Sequence, residues 1–218
     1  MGIREKHRAV RCEQILDAAR RLIRATGGTE FSMRRLAEEA EVGLVTPYNL
    51  FGSKSGVLYA LLNDSLEHLD RATEPRPSPR PVDAVLELAG LAAEIYAHDA
   101  AFYRPLMQFL LGVPDHEHRP RALERSLALW SRTVDAAVHG GQLARQLLIG
   151  FVGVVELWIH EDFDDAAFRA QSVYGSALLV LAHAAPAARP RLLARLRALE
   201  RRLPRRLASQ NRKRPRAA

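Results

Sequence analysis

Phe31-Ser32-Met33-Arg34-Arg35-Leu36-Ala37-Glu38-Glu39-Ala40-Glu41-Val42-Gly43-Leu44-Val45-Thr46-Pro47-Tyr48-Asn49-Leu50-Phe51-Gly52-Ser53-Lys54 decides the fold of this chain. Met33, Leu36, Ala37 and Ala40 repeat at helical spacing, and Ser32 before them is a good N-cap, because its hydroxyl can accept an orphan amide N–H. A tight turn follows, and a second short helical segment runs from Leu44 to Leu50. Two helices that cross closely need a small residue at the contact, which Ala37 supplies. Val42 is the apolar plug of the turn, and Leu50 and Phe51 are the inward positions of the second segment.

The flanks read the same way. Ile15, Leu16, Ala19, Leu22 and Ile23 share one face of a preceding helix that Gly27-Gly28 ends. A further helix opens at Gly52-Ser53 and runs through Leu58, Leu61, Leu62 and Leu66. Six more helical stretches follow: Val82–His98, Ala101–Leu111, Arg121–Val138, Leu143–Ile159, Asp165–Ala184 and Arg189–Leu203. Pro114, Gly140-Gly141, Asp162–Asp165 and Pro186 punctuate them. There is no alternating strand pattern and no internal repeat. The expected class is all-α. An N-terminal three-helix domain (1–56) precedes a helical body (57–208), interrupted by a proline-rich linker (74–81) and followed by a basic, disordered tail (209–218).

Charge is unevenly distributed. Residues 1–56 carry ten Lys/Arg against seven Asp/Glu, residues 57–188 ten against seventeen, and residues 189–218 twelve against one, within a net charge of +7. A basic balance admits nucleic acid or an anionic surface as partner without choosing between them. Cys12 is the single cysteine, so an intrachain disulfide and a cysteine-built zinc site are excluded. A reducing cytoplasm is the expected compartment. No run of about 18 apolar residues lacks a charge, so no membrane partner is expected.

The stretch Ile15 to Leu62, about a quarter of the chain, resembles the DNA-binding domain of the TetR family of bacterial transcriptional regulators. Its residues 31–37, Val42, Thr46-Pro47-Tyr48-Asn49-Leu50-Phe51-Gly52-Ser53-Lys54 and Val57-Leu58 carry the likeness. The resemblance implies that Tyr48 and Lys54 contact backbone phosphates. The chemistry agrees for Lys54, because a cation at a helix N-terminus is unfavourable unless a phosphate shares the site. A solvated lysine is the plainer alternative. Arg34 is placed to reach a base edge, and its fork matches guanine; it is equally an ordinary surface arginine. Thr46 and Asn49 are candidate phosphate or base contacts. Leu44 and Val45 stand where sequence readers often lie, and serve either thymine methyls or shape alone.

Three residues depart from the family pattern. Glu41 replaces the usual turn glycine, Gly43 the usual hydroxyl cap, and Pro47 lies in the second helix. With Gly43 as cap, Pro47 would be the fourth helical residue and would cost a hydrogen bond. Arg4, Lys6, Arg8 and Arg11 make a basic N-terminal arm, suited to a minor groove or simply solvated.

The resemblance also implies a homodimer on a palindromic DNA operator, with the last two long helices at the interface. Phe151, Val154, Val155 and Ile159 on one, and Val173, Ala177, Val180 and Leu181 on the other, are the interface candidates. It implies a small-molecule effector as well. Leu66, Leu91, Ile95, Tyr96, Phe102 and Tyr103 are candidate walls for that ligand, as are Leu106, Met107, Leu110, Trp130, Val134 and Trp158. Few charges interrupt these faces, which favours an apolar or aromatic ligand, although plain core is the simpler reading of each residue. The expected function is a repressor that such a ligand releases. The competing reading is nonspecific binding to DNA or a membrane surface through the basic helix 189–206.

No enzyme, cofactor or metal site is expected. His116-Glu117-His118 lacks the four-residue spacing of a helical zinc pair and reads as a solvated loop. His160-Glu161-Asp162 and Asp164-Asp165 read as a charged interhelical loop with an acidic helix start. No phosphate-binding loop or nucleophile elbow is found.

Overall fold

The structure is a computed structural model that describes residues 2–73, 81–135 and 141–203. Those residues form ten α-helices and no strand: α1 Ile3–Thr26, α2 Met33–Glu39, α3 Val45–Phe51, α4 Lys54–Ala72, α5 Pro81–His98, α6 Ala100–Gly112, α7 Arg119–Asp135, α8 Gly141–Ile159, α9 Asp165–Leu181 and α10 Arg189–Glu200. The class is therefore all-α. The expected linker, apart from Pro81, and the basic tail lie outside the described residues.

The chain divides into two compact units. One comprises residues 1–68 and 101–125; the other comprises 69–100 and 126–218. The first unit thus takes α6 from the middle of the chain in addition to the N-terminal helices.

In the first unit, α1 contains no glycine or proline and begins far earlier than its apolar face suggests. The backbone N–H of Gly2 donates to Glu5 Oε2 at 2.8 Å. Arg4, Lys6, Arg8 and Arg11 therefore stand on a helix, which corrects the expectation of an arm. Ile15, Ala18, Ala19, Leu22 and Ile23 are its buried stripe. Gly27, left-handed at φ 66°, ends it and donates to the Ile23 carbonyl at 2.9 Å. Ser32 caps α2, its hydroxyl accepting from the Arg35 N–H at 3.1 Å.

The second unit is organised around α9, which packs against α5, α8 and α10. Asp164 caps it by accepting from the Ala167 N–H at 2.7 Å. Trp158 of α8 stacks on Phe168 of α9 with ring centroids 4.6 Å apart, and its indole N–H donates to Asp165 at 2.8 Å, which satisfies the one polar group of a fully buried ring. Along α9, Ser172 and Ser176 return their hydroxyls to the Phe168 and Ser172 carbonyls at 2.8 and 2.9 Å. These bonds let two polar residues sit in the core. Arg169 meets Glu94 of α5 at 2.5 Å, and Arg191 of α10 meets Asp83 at 3.1 Å. On α10 Leu192 and Leu196 are buried, and Arg191, Arg195 and Arg197 around them are exposed.

Among the described residues α8 is the one helix long and apolar enough, by length and composition, to cross a membrane. Its packing along α9 gives a second account of that character, since a helix buried on one side and apolar on another is what an oligomer interface also requires.

Candidate nucleic-acid interface

The turn between α2 and α3 is built from backbone hydrogen bonds. Ala40 N–H donates to the Leu36 carbonyl at 2.9 Å and Val42 N–H to the Ala37 carbonyl at 3.0 Å. Glu41 adopts φ 53°, the left-handed conformation that the glycine of the family pattern would take without strain.

The second helix starts one residue later than expected. Gly43 offers its carbonyl to the Thr46 N–H at 2.8 Å, and α3 opens at Val45. Leu44 is already helical at φ −50° and ψ −34°, so Pro47 is the fourth residue after Gly43, and the Gly43 carbonyl that its missing N–H would have met accepts from Thr46 instead. Pro47 is also the one buried residue of α3. Leu50 and Phe51, expected to be the inward positions, are half-buried. The proline therefore anchors the helix, and only its ring's burial, not its sequence, reveals that role.

The opposite face of α3 is open. Leu44 is 52% exposed, Val45 63% and Tyr48 48%, and Asn49 is exposed beside them. These positions follow one another at i, i+1, i+4 and i+5, which is one helical face. Thr46 is half-buried. Arg34 projects from α2, 80% exposed, with its Nε donating to Glu38 at 3.2 Å. A pair this exposed holds the arginine only weakly.

Lys54 goes elsewhere. Its ammonium donates to the carbonyl of the buried Thr29 at 2.9 Å. It also stands 5.8 Å from the Phe31 ring and 5.6 Å from the Phe109 ring of α6. The carbonyl and the two ring faces provide the negative potential that a cation at the start of a helix lacks. Ser53 caps α4 as expected, its hydroxyl accepting from the Gly56 N–H at 3.1 Å. A side chain at Gly56 would collide with the Phe51 carbonyl, so glycine there lets the end of α3 lie directly on α4.

Further contacts join α6 to the N-terminal helices of this unit. Tyr103 and Ser65 share a buried hydroxyl–hydroxyl bond of 3.0 Å, and the Arg24 guanidinium lies 5.3 Å from the Phe102 ring centre. Beyond α6, His118 stacks on Tyr59 of α4 at 5.7 Å. Asp115 fixes that corner by accepting from the His118 and Glu117 N–H groups at 2.6 and 3.0 Å, with the His118 ring 3.3 Å away. Burial pushes the Asp115 carboxyl up, but these hydrogen bonds and the nearby imidazole together hold it below its usual range. Burial raises the Tyr59 phenol, as does Asp115, against a smaller lowering by Arg119; the phenol oxygen is buried without a hydrogen-bond partner. The solvated loop expected at 116–118 is thus solvated at His116 and Glu117 and docked at His118. Nothing in the local spacing marks this corner, because Tyr59 lies on a helix far away in sequence.

The candidate ligand walls divide between the units. Leu66, Phe102, Tyr103, Leu106, Met107 and Leu110 are buried in the first. Tyr96, Trp130, Val134 and Trp158 are buried in the second, where Leu91 and Ile95 are half-buried. Of the candidate dimer residues, Val155, Ile159, Ala177 and Val180 are already buried within the chain, while Phe151, Val154, Val173 and Leu181 are half-buried. The large apolar side chains that α8 and α9 expose are Ile149 and Leu178, 56% and 47% accessible, with Gly150 and Gly153 beside the former. No group of three or more His, Cys, Asp and Glu among the described residues is arranged to hold a metal ion.

Residues 15–61 match the family of bacterial regulatory proteins known as the tetR family. No curated protein matches the chain by sequence. The fold is similar to that of a TetR transcriptional regulator from Rhodococcus sp. RHA1, with TM-score 0.67 at 21% identity over 84% of this chain and all of that one. It is also similar to SmeT, the repressor of the Stenotrophomonas maltophilia multidrug efflux pump SmeDEF, with TM-score 0.62 at 18% identity over 80% of this chain and 91% of the other. A tetR-family transcriptional regulator from Streptomyces coelicolor gives TM-score 0.59 at 16% identity over 97% and 95% of the two chains. The segment 15–61 thus carries the pattern of the tetR family of bacterial regulatory proteins, and the chain shares the all-helical fold of these structures.

Proposed function

We propose that the chain is a cytoplasmic, homodimeric repressor that binds a palindromic operator through α3 and leaves it when a small apolar or aromatic molecule binds the helical body. The observation that carries the DNA-binding part is the open face of α3, where Leu44, Val45, Tyr48 and Asn49 project from a helix anchored on its other side by Pro47. Tyr48 is the phosphate contact, and Arg34 and Thr46 lie beside the reading face. Lys54 serves as an internal tie in the free protein, and contacts phosphate only if DNA draws it off Thr29.

Dimerisation is supported by the exposed apolar residues Ile149 on α8 and Leu178 on α9, since a large apolar side chain in the open is stabilised by a partner. The preference for an aromatic effector is supported by the rings that meet in the second unit. Tyr96 and Trp130 each lie 6.0 Å from Phe151. Release would follow if the ligand favours a conformation in which the paired reading helices no longer fit successive major grooves.

A second reading, nonspecific binding through residues 189–206, is favoured by the twelve basic residues against one acidic in 189–218. The burial of Leu192 and Leu196 leaves Leu193 as the large apolar side chain that α10 exposes, which is little for a membrane to hold. Transcription in vitro from a promoter overlapping the bound sequence tests the repressor. Transcript should fall on adding protein and return with a ligand from an aromatic panel; a rise on adding protein would contradict repression.

A further inference from the structure

The reading face of α3 is short of hydrogen-bonding groups. The helix Val-Thr-Pro-Tyr-Asn-Leu-Phe contains neither a cation nor a carboxylate. At its start, Leu44 and Val45 hold two aliphatic side chains next to each other, both more than half exposed. About half or more of each remains open, although the same helix buries a proline on its inner side. Of the cations nearby in sequence, Lys54 is tied to the Thr29 carbonyl, and Arg34 and Arg35 stand on α2, paired with Glu38 and Glu39.

Only one apolar group lines the major groove of unmodified DNA, the C5 methyl of thymine. We propose that Leu44 and Val45 read thymine methyl groups, so that each operator half-site carries thymine at the positions beneath them, with Asn49 fitted to the N6 and N7 edge of an adenine. This rests on the regulator reading given above and adds to it the bases that are recognised. Guanine is read, where it is read, from α2 by Arg34, whose exposed pair with Glu38 is easily given up.

The test alters the DNA, so protein folding does not enter it. Sequences bound by the full chain are enriched from a random duplex pool. Each thymine of the enriched half-site is then replaced by deoxyuridine, which removes the methyl and leaves the pairing edge intact. Burying one methyl corresponds to about a fourfold change in affinity. Binding should therefore weaken about fourfold for each thymine beneath Leu44 or Val45 and stay constant for thymines outside the half-site. In Val45→Ala or Leu44→Ala, checked for an unchanged melting transition, the deoxyuridine penalty should disappear at the matching position. An enriched palindrome that is indifferent to the methyls, or has no thymine at these positions, overturns this inference and leaves the regulator reading standing. Failure to enrich any sequence overturns both.

Discussion

The Lys54 ammonium and the Thr29 carbonyl are 2.9 Å apart, and this bond ties the first turn of α4 to the segment that leads into α2. Two aromatic rings, Phe31 and Phe109, flank the same ammonium. The cation nearest the reading helix in sequence is thus a structural tie in the free protein. Lys54→Met should lower stability by about 1–2 kcal/mol, since a charged hydrogen bond and partial ring contacts are lost from a half-buried site. Urea unfolding without DNA measures this. A lysine acting on phosphate alone would leave the midpoint unchanged.

Glu41 is held at φ 53° by the turn that sets α3 on α2. Relief of that conformation should make Glu41→Gly neutral or stabilising by up to about 1 kcal/mol, the smaller strain being offset by glycine's greater freedom when unfolded. Glu41→Val should instead destabilise by about 1–2 kcal/mol, because a branched Cβ fits the left-handed region worst. Thermal melts of the two variants decide the point; equal shifts would refute the turn geometry.

Asp115 contributes stability that depends on pH. Its carboxyl is depressed in the folded state, so the contribution is present above the ordinary carboxylate range and is lost as pH falls through the folded value. Asp115→Asn should lower stability near neutrality by about 1 kcal/mol, through weaker acceptance of the His118 and Glu117 N–H groups, and should flatten the acid side of the stability profile. The comparison is made by denaturant unfolding from pH 3 to 7. Parallel profiles for both proteins would exclude this role.

Ile149 and Leu178 are the apolar side chains available to a partner copy on α8 and α9. Ile149→Arg combined with Leu178→Arg should give a monomer of about the chain mass, 24.3 kDa, by sedimentation, with helix content retained. Val155→Ala should act differently, loosening the core by about 1–2 kcal/mol without changing the assembly, because Val155 is buried within the chain. An unchanged sedimentation coefficient in the double arginine variant would remove these helices from the interface.

The sequence made the helices legible because their ends are marked locally. Ser32 and Ser53 cap where hydroxyl caps are expected, Asp164 caps α9 within the segment expected to be an acidic helix start, and Gly27 ends α1 as expected. The α2–turn–α3 pattern was equally legible, since a small residue at a close crossing and a plug in a tight turn are local demands. Contacts over long sequence separation were not. Nothing near Lys54 points to Phe109, nothing near His118 points to Tyr59, and the placement of α6 with the N-terminal helices follows from such pairs. The cost of Pro47 likewise depends on a bond that the sequence does not mark, because the Gly43 carbonyl left without its donor accepts from Thr46.

Selection of bound sequences from a random duplex DNA pool, at physiological salt with the full chain, tests the central claim most directly. The account predicts an enriched two-fold palindrome whose half-sites are about 34–36 Å apart or a multiple of that spacing. Tyr48→Ala should weaken binding to every sequence in the pool alike, through one lost phosphate contact. A folded protein that enriches no sequence, or one with no two-fold symmetry, would contradict a dimeric, sequence-specific regulator.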